Sequence, residues 1–105
     1  SPSGVKEARE SGAFSVLGNA QRRDVLEHAG IRKAKLVVTT LPDHRASSQT
    51  IQQIKSIAES VPIVARARYS IYSKNLSLAG AEVVVDEEVC VGHALARETL
   101  EQLGM

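Results

Sequence analysis

The segment Val61–Arg68, VPIVARAR, ends an apolar run with two arginines placed two residues apart. On a β-strand that spacing puts both side chains on one face. A guanidinium close to apolar surroundings needs a carboxylate or an anionic ligand, and its planar fork of donors suits either. Arg66 and Arg68 are therefore candidates for anion binding, with a structural ion pair as the alternative. Thr39 and Thr40 close a second apolar run, Lys35–Leu41 or KLVVTTL, where hydroxyls and backbone can face a ligand; their β-branched shape equally suits a buried strand. A third candidate is the turn Gly18-Asn19-Ala20 within Ser15–Gly30, SVLGNAQRRDVLEHAG. It joins a strand to a helix, the kind of junction at which open α/β sheets bind nucleotides. The turn alone, with Asn19 capping the next helix, is the plainer reading. Asp86-Glu87-Glu88 precedes the last helix, where the helix dipole favours each negative charge by about 0.3–1 kcal/mol.

Catalysis finds no support in the sequence. No serine, histidine and aspartate arrangement stands out, and no nucleophile or base is visible. His28, His44 and His93 show no metal-ligand spacing among themselves or with Cys90, and read as exposed or helix-end residues. The chain has 105 residues, enough for one domain with a single modest core. Thirteen basic residues against twelve acidic ones leave no cationic stripe, and with no tryptophan a stacking platform for nucleic acid is not expected. Cys90 is the only cysteine, which excludes an intrachain disulfide. No apolar run approaches the roughly 20 residues of a membrane helix. Ser1–Gly4 carries neither region of a secretory signal and reads as a remnant of cloning or of a cut within a longer protein. A soluble, cytoplasmic chain is expected.

The elements that must position these residues follow from periodicity and punctuation. Val5–Ser11 reads as a short helix stopped by Gly12, and Ala13–Leu17 as a strand. Arg22–Ala29 reads as a helix with Val25, Leu26 and Ala29 on one face, ended by Gly30 in a left-handed cap. Lys35–Leu41 shows almost no alternation, the pattern of a parallel strand covered on both faces. Beyond the Pro42-Asp43 turn, Ala46, Ile51, Ile54, Ile57 and Ala58 fall at helical spacing. Val61–Ala67 is the next strand, with Pro62 at its start. Ser70 caps a helix that runs to Ala79 and stops at Gly80. Glu82–Val85 is a last strand, and a final helix over Glu88–Leu103 has Val91, Ala94, Leu95, Leu100 and Leu103 as its apolar positions. This alternation predicts one α/β domain over residues 1–105, with a mostly parallel sheet of about four strands and right-handed crossovers.

In order and spacing, GNA, AGIRKAKLVVTTLPD, PIVARARY and LAGAEVVVDEEVCVGHALARETLEQLG resemble the TrkA-N or RCK-type regulatory domains of potassium transport proteins. Within that group they are most similar to the Kef glutathione-gated potassium/proton antiporters. The resemblance covers Val5 to the C-terminus and implies a partial Rossmann-like fold that lacks the first βαβ unit, with its glycine-rich phosphate loop. It implies that Asn19 and Ala20 contact an adenine or ribose, and that Arg66 and Arg68 lie where glutathione and a dimer partner meet. It places Glu88 near nucleotide phosphates or a divalent ion. NAD or AMP is the implied cofactor, bound weakly for want of the phosphate loop. The implied function is ligand sensing and dimerisation in the cytoplasmic tail of an inner-membrane Kef-type antiporter, without chemistry on the ligand. The implied partners are the parent transporter, a second copy, and glutathione or another small anion. A fragment of an NAD-dependent oxidoreductase and a free-standing dimerisation module are the alternatives.

Two structural expectations follow from the resemblance. In the strand order 3-2-1-4-5-6 the strand at Ala13–Leu17 is separated from Lys35–Leu41 by two strands, so it must pair directly with the second strand or join another chain's sheet. Dimer contacts are expected from the helices at 43–60 and 70–79, with Ile71, Tyr72 and Leu76 adding apolar surface.

Overall fold

The structure is a computed structural model that describes residues 22–105 together with the strand backbone at 13–16. The expected helix at Val5–Ser11 and the turn Gly18-Asn19-Ala20 lie outside the described residues. Strands β1 (Ala13–Val16), β2 (Leu36–Thr39), β3 (Ile63–Ala67) and β4 (Val83–Asp86) alternate with helices α1 (Arg23–His28), α2 (His44–Ile57), α3 (Ser73–Ala79) and α4 (Glu87–Gln102). The four strands form one parallel sheet in the order β1-β2-β3-β4. β1 pairs directly with β2, Ala13 opposite Leu36 and Val16 opposite Thr39, the first of the two arrangements expected for it.

Each helix begins and ends for local reasons. The Asp43 carboxylate accepts the N–H groups of Arg45 and Ala46 at 2.8 and 3.1 Å and so caps α2. Asp86 does the same for α4 through Val89 N–H at 3.0 Å. Gly30 follows α1 at φ +87°, the left-handed conformation expected from its place in the sequence. The segment from Ser70 starts as a 3₁₀ turn, Ser70–Tyr72, and becomes α-helical only at Ser73.

One face of the sheet is closed. Val37, Ile63, Ala65 and Ala67 pack with Leu26, Ile31, Ile51, Ile54, Ile57 and Leu76 into a single core. Ser47 and Thr50 are also buried there, while the expected Ala46 and Ala58 are only half-buried. In α1 only Leu26 is buried; Val25 and Ala29 are exposed, because so short a helix presents one turn to the core.

The other face departs from the expectation that KLVVTTL is covered on both sides. Leu36, Val38 and Val64 are half-buried, and Val83 and Val85 are 52% and 44% exposed. The final helix departs further. α4 meets β4 and the Ser70–Tyr72 turn at its N-terminal end, and none of its residues is buried. Val91, Leu95, Leu100 and Leu103, expected as packing positions, all stand exposed.

Candidate functional site

The C-terminal ends of β2, β3 and β4 lie side by side, the edge of a parallel sheet where ligands bind. Arg66 comes from the half-open face of β3, in register with Val85. Its Nη2 donates to the Thr40 carbonyl oxygen at 2.6 Å. Its Nε is buried with no hydrogen-bond partner. None of the ion pairs among the described residues includes Arg66. A half-buried cation held by one carbonyl and lacking a carboxylate retains donors for an anion.

Arg68 stands just past β3 and is exposed, its guanidinium carbon 5.6 Å from the centre of the Tyr69 ring. Arg68 and Tyr69 form one wall of an open groove of about 480 Å³. Glu87, Glu88, Val91, Gly92 and Leu95 of α4 form the other.

The acidic residues are committed to the backbone. Glu88 accepts the Ser70 N–H at 2.8 Å, and Asp86 accepts the Ser73 hydroxyl at 3.1 Å in addition to its cap bond. Hydrogen bonds from Ser70 and from the Val89 N–H hold Asp86 below the usual carboxylate range. These carboxylates thus tie the end of β4 to the turn after β3. That contact agrees with the helix-dipole reading of the acidic run.

Thr40 and Arg66 are brought together, and Arg68 and Glu88 share the groove. Thr39 is not at the surface: it is fully buried, and its hydroxyl has no partner. The hydroxyls of Ser47 and Thr50 are likewise buried and unpartnered. Asn19 and Ala20 lie outside the described residues. The described residues contain no group of three or more His, Cys, Asp and Glu side chains able to hold a metal ion.

Two features escaped the sequence reading. His44, the first residue of α2, stacks on Tyr72 with ring centres 3.6 Å apart and planes 3° from parallel. The stack links the ends of β2 and β3, and the only signal for it was that both residues follow neighbouring strands. At the opposite edge Lys55 of α2 pairs with Glu82, and donates to the Val61 carbonyl at 2.6 Å. The other Glu82 oxygen accepts the Ile63 N–H at 2.6 Å.

Comparison with known proteins places this geometry in a family. The TrkA-N domain family matches residues 1–87. The glutathione-regulated potassium-efflux system protein KefC of Cronobacter sakazakii is 30% identical over 104 residues, covering 99% of this chain and 17% of that protein. The chain therefore spans about a sixth of the length of the curated relatives it matches. The crystal structure of the TrkA-N domain of the Escherichia coli inner membrane protein YbaL superposes with a TM-score of 0.67 at 30% identity, covering 98% of this chain and 73% of that one. The GsuK channel superposes with a TM-score of 0.70 at 28% identity, covering 86% of this chain and 24% of that one. The fold is thus the Rossmann-like α/β type of these domains, and no helix among the described residues is long and apolar enough to cross a membrane. With the matched residues running from the start of the chain through the end of β4, this chain belongs to the TrkA-N domain family.

Proposed function

We propose that the chain is a regulatory, ligand-sensing piece of a Kef-type potassium/proton antiporter or a related potassium transport protein. In this reading it binds a small anion without altering it and works at the cytoplasmic face of the membrane as one half of a homodimer. The observation that carries the reading is Arg66: a half-buried guanidinium at the ligand edge of a parallel sheet, bonded to Thr40 and paired with no described carboxylate. The names of the relatives supply the context, since KefC is described as a glutathione-regulated potassium-efflux protein. Glutathione or another small anion sits with its carboxylate on Arg66 and Arg68. Thr40 and Glu88 position those side chains and the loop around them. Thr39 contributes through the packing beneath, and Asn19 with Ala20 reaches the adenosine end of a nucleotide.

Nucleotide binding is the weaker half of the proposal. Each charge-assisted hydrogen bond to phosphate contributes about 1.5–3 kcal/mol. Without a glycine-rich loop to make two of them, affinity falls by about a hundredfold or more. Titration calorimetry of the chain with glutathione, AMP and NAD tests both parts. Glutathione binding that weakens with salt and disappears in Arg66→Ala is expected. Submicromolar NAD binding overturns the weak-nucleotide argument. Anion binding unchanged in both Arg66→Ala and Arg68→Ala overturns the arginine assignment.

A further inference from the structure

The stack of His44 on Tyr72 has a geometry that two neutral rings avoid. Their centres lie 3.6 Å apart and their planes 3° from parallel, so the rings sit almost squarely face to face. Aromatic quadrupoles repel in that arrangement and favour offset or edge-on contacts. Tyr72 makes the edge-on kind with Tyr69, at 6.4 Å and 75°. A cation over an electron-rich ring gains from the face-to-face arrangement instead. Histidine is the side chain whose ordinary titration falls between pH 5 and 8, so it can supply that cation and withdraw it.

Charges of both signs surround the imidazole. On α2, Asp43 is its neighbour in the chain. Hydrogen bonds from the Ala46 and Arg45 N–H groups hold Asp43 below the usual carboxylate range, and the His44 charge acts in the same sense. Exposed Arg45 opposes a second cation there. Arg66 and Arg68 at the end of β3, and exposed Lys74 on α3, also oppose it. Asp86 and Glu88 favour it, and both are held against the neighbouring turn by the Ser73 hydroxyl and the Ser70 N–H.

The stack joins the pieces that carry the two arginines. His44 opens α2 just after Thr40, whose carbonyl holds Arg66 at 2.6 Å. Tyr72 closes the 3₁₀ turn after β3 and donates its N–H to the Tyr69 carbonyl at 3.0 Å. The Tyr69 ring in turn lies 5.6 Å from the guanidinium carbon of Arg68. Three aromatic side chains thus connect α2 to Arg68. The expectation that Ile71, Tyr72 and Leu76 add dimer surface is met only in part. Leu76 is fully buried in the core and Tyr72 is engaged by His44, which leaves Ile71 exposed.

We propose that His44 is a positioning residue for the anion site and acts as a proton-dependent latch. As imidazolium it clamps Tyr72 and, through Tyr69, keeps Arg68 at the wall of the groove. Loss of the proton releases the clamp. Anions accordingly bind more tightly in mild acid, by about two- to fivefold, the effect of one partly exposed cation–π contact. The positioning role rests on the reading of Arg66 and Arg68 as an anion site; the latch itself does not.

Tyr69 and Tyr72 are the only tyrosines and the chain has no tryptophan, so tyrosine emission reports this cluster alone. Emission is expected to change between about pH 8 and pH 5 in the parent chain. It stays flat in His44→Phe, which keeps a ring on Tyr72 but takes up no proton. Calorimetry uses glutathione, whose carboxylates and ammonium keep their charges over that range. The parent gains about two- to fivefold in affinity on acidification, and His44→Phe shows no change. Emission that is flat in the parent, or that changes equally in the variant, overturns the latch. Emission that titrates beside a pH-independent glutathione affinity overturns the positioning role. Absence of glutathione binding at either pH overturns the reading of the two arginines instead, and emission then decides the latch alone. If His44→Phe fails to fold, His44→Gln takes its place with the same flat emission expected.

Discussion

Replacing Glu82 by alanine removes a tie among α2, β3 and β4, and its cost can be worked from the geometry. One carboxylate oxygen pairs with Lys55, and the other accepts the Ile63 N–H at 2.6 Å where β3 begins. Lys55 also donates to the Val61 carbonyl at 2.6 Å, so the link between α2 and β3 is cinched from both sides. Loss of the carboxylate leaves the part-buried Ile63 N–H without a partner, a cost of about 1–3 kcal/mol. The ion pair itself contributes less. The Glu82 side chain is 45% exposed and the Lys55 side chain 20%, so solvent screening holds that share to about 0.5–1 kcal/mol. The expected loss for Glu82→Ala is about 2 kcal/mol, a large part of the stability of a small domain. Glu82→Gln keeps an acceptor for Ile63 and forfeits the charge, so it costs about 0.5–1 kcal/mol.

Urea unfolding followed by circular dichroism measures both, since the chain has no tryptophan. The pH dependence gives a second readout. Burial alone raises the Glu82 pKa, but the Lys55 ammonium and the Ile63 N–H outweigh it and hold the group below its ordinary 4.5. A depressed folded-state pKa contributes stability that is present above 4.5 and lost as pH falls through the folded value. Glu82→Ala abolishes that part of the acid slope. An alanine variant within about 0.5 kcal/mol of the parent refutes the reasoning. A glutamine variant as damaged as the alanine one also refutes it, because charge would then outweigh the hydrogen bond.

Gly80→Ala is expected to cost at least about 1 kcal/mol, since Gly80 has φ +129° and a Cβ there would lie 2.9 Å from Lys55 Cγ. Gly30→Ala shares the strained φ, +87°, but meets nothing within 4 Å, so thermal unfolding of the pair should show a smaller loss at Gly30. Backbone hydrogen bonds from Ala46 and Arg45 hold Asp43 below 3.8, so the α2 cap stabilises the fold above that pH and fails as pH falls further. Asp43→Asn keeps a cap and should flatten this part of the acid titration, read by helix signal against pH. Tyr72→Ala removes the stack with His44, and should lower the thermal midpoint while leaving the Arg66–Thr40 hydrogen bond and the salt dependence of anion binding in place.

The parallel sheet was legible because its signals are short-range. Ile51, Ile54 and Ile57 at helical spacing, Pro42-Asp43 before them and Gly80 after α3 each act within a few residues, and each appears where expected. Ser47 and Thr50 were not legible as core, because polarity marks a surface position unless the tertiary fold overrides it. Arg66 was found through its apolar neighbours, but its contact with Thr40 depends on the register of β2 against β3, which no local pattern encodes. Glu88 was identified as functional through resemblance, yet in the structure its carboxylate holds the Ser70 N–H. That contact joins the first turn of α4 to the turn after β3, a tertiary link that an acidic run in the sequence does not reveal.

The reading that failed most instructively is the one of KLVVTTL as a strand covered on both faces. Its residues do lack alternation, and Val37 and Thr39 are fully buried. Leu36 and Val38, on the other face, are only half-buried, and Val83 and Val85 continue that open surface onto β4. The strand thus carries more apolar character than the described elements consume. The same excess appears on α4, but in a different form. On the sheet face the uncovered residues are β-branched or large along neighbouring strands, a broad surface that suits another packed layer. On α4 they are strung along a single helix, Val89, Val91, Leu95 and Leu100, a narrower surface. A single partner does not satisfy both shapes. If one packed layer covered both surfaces, Leu100→Ser on α4 would also loosen the sheet face; with separate partners the substitution leaves the sheet face unchanged. Hydrogen exchange of the β3 and β4 amides in the parent and Leu100→Ser chains separates these cases, and equal protection in the two is the expected result.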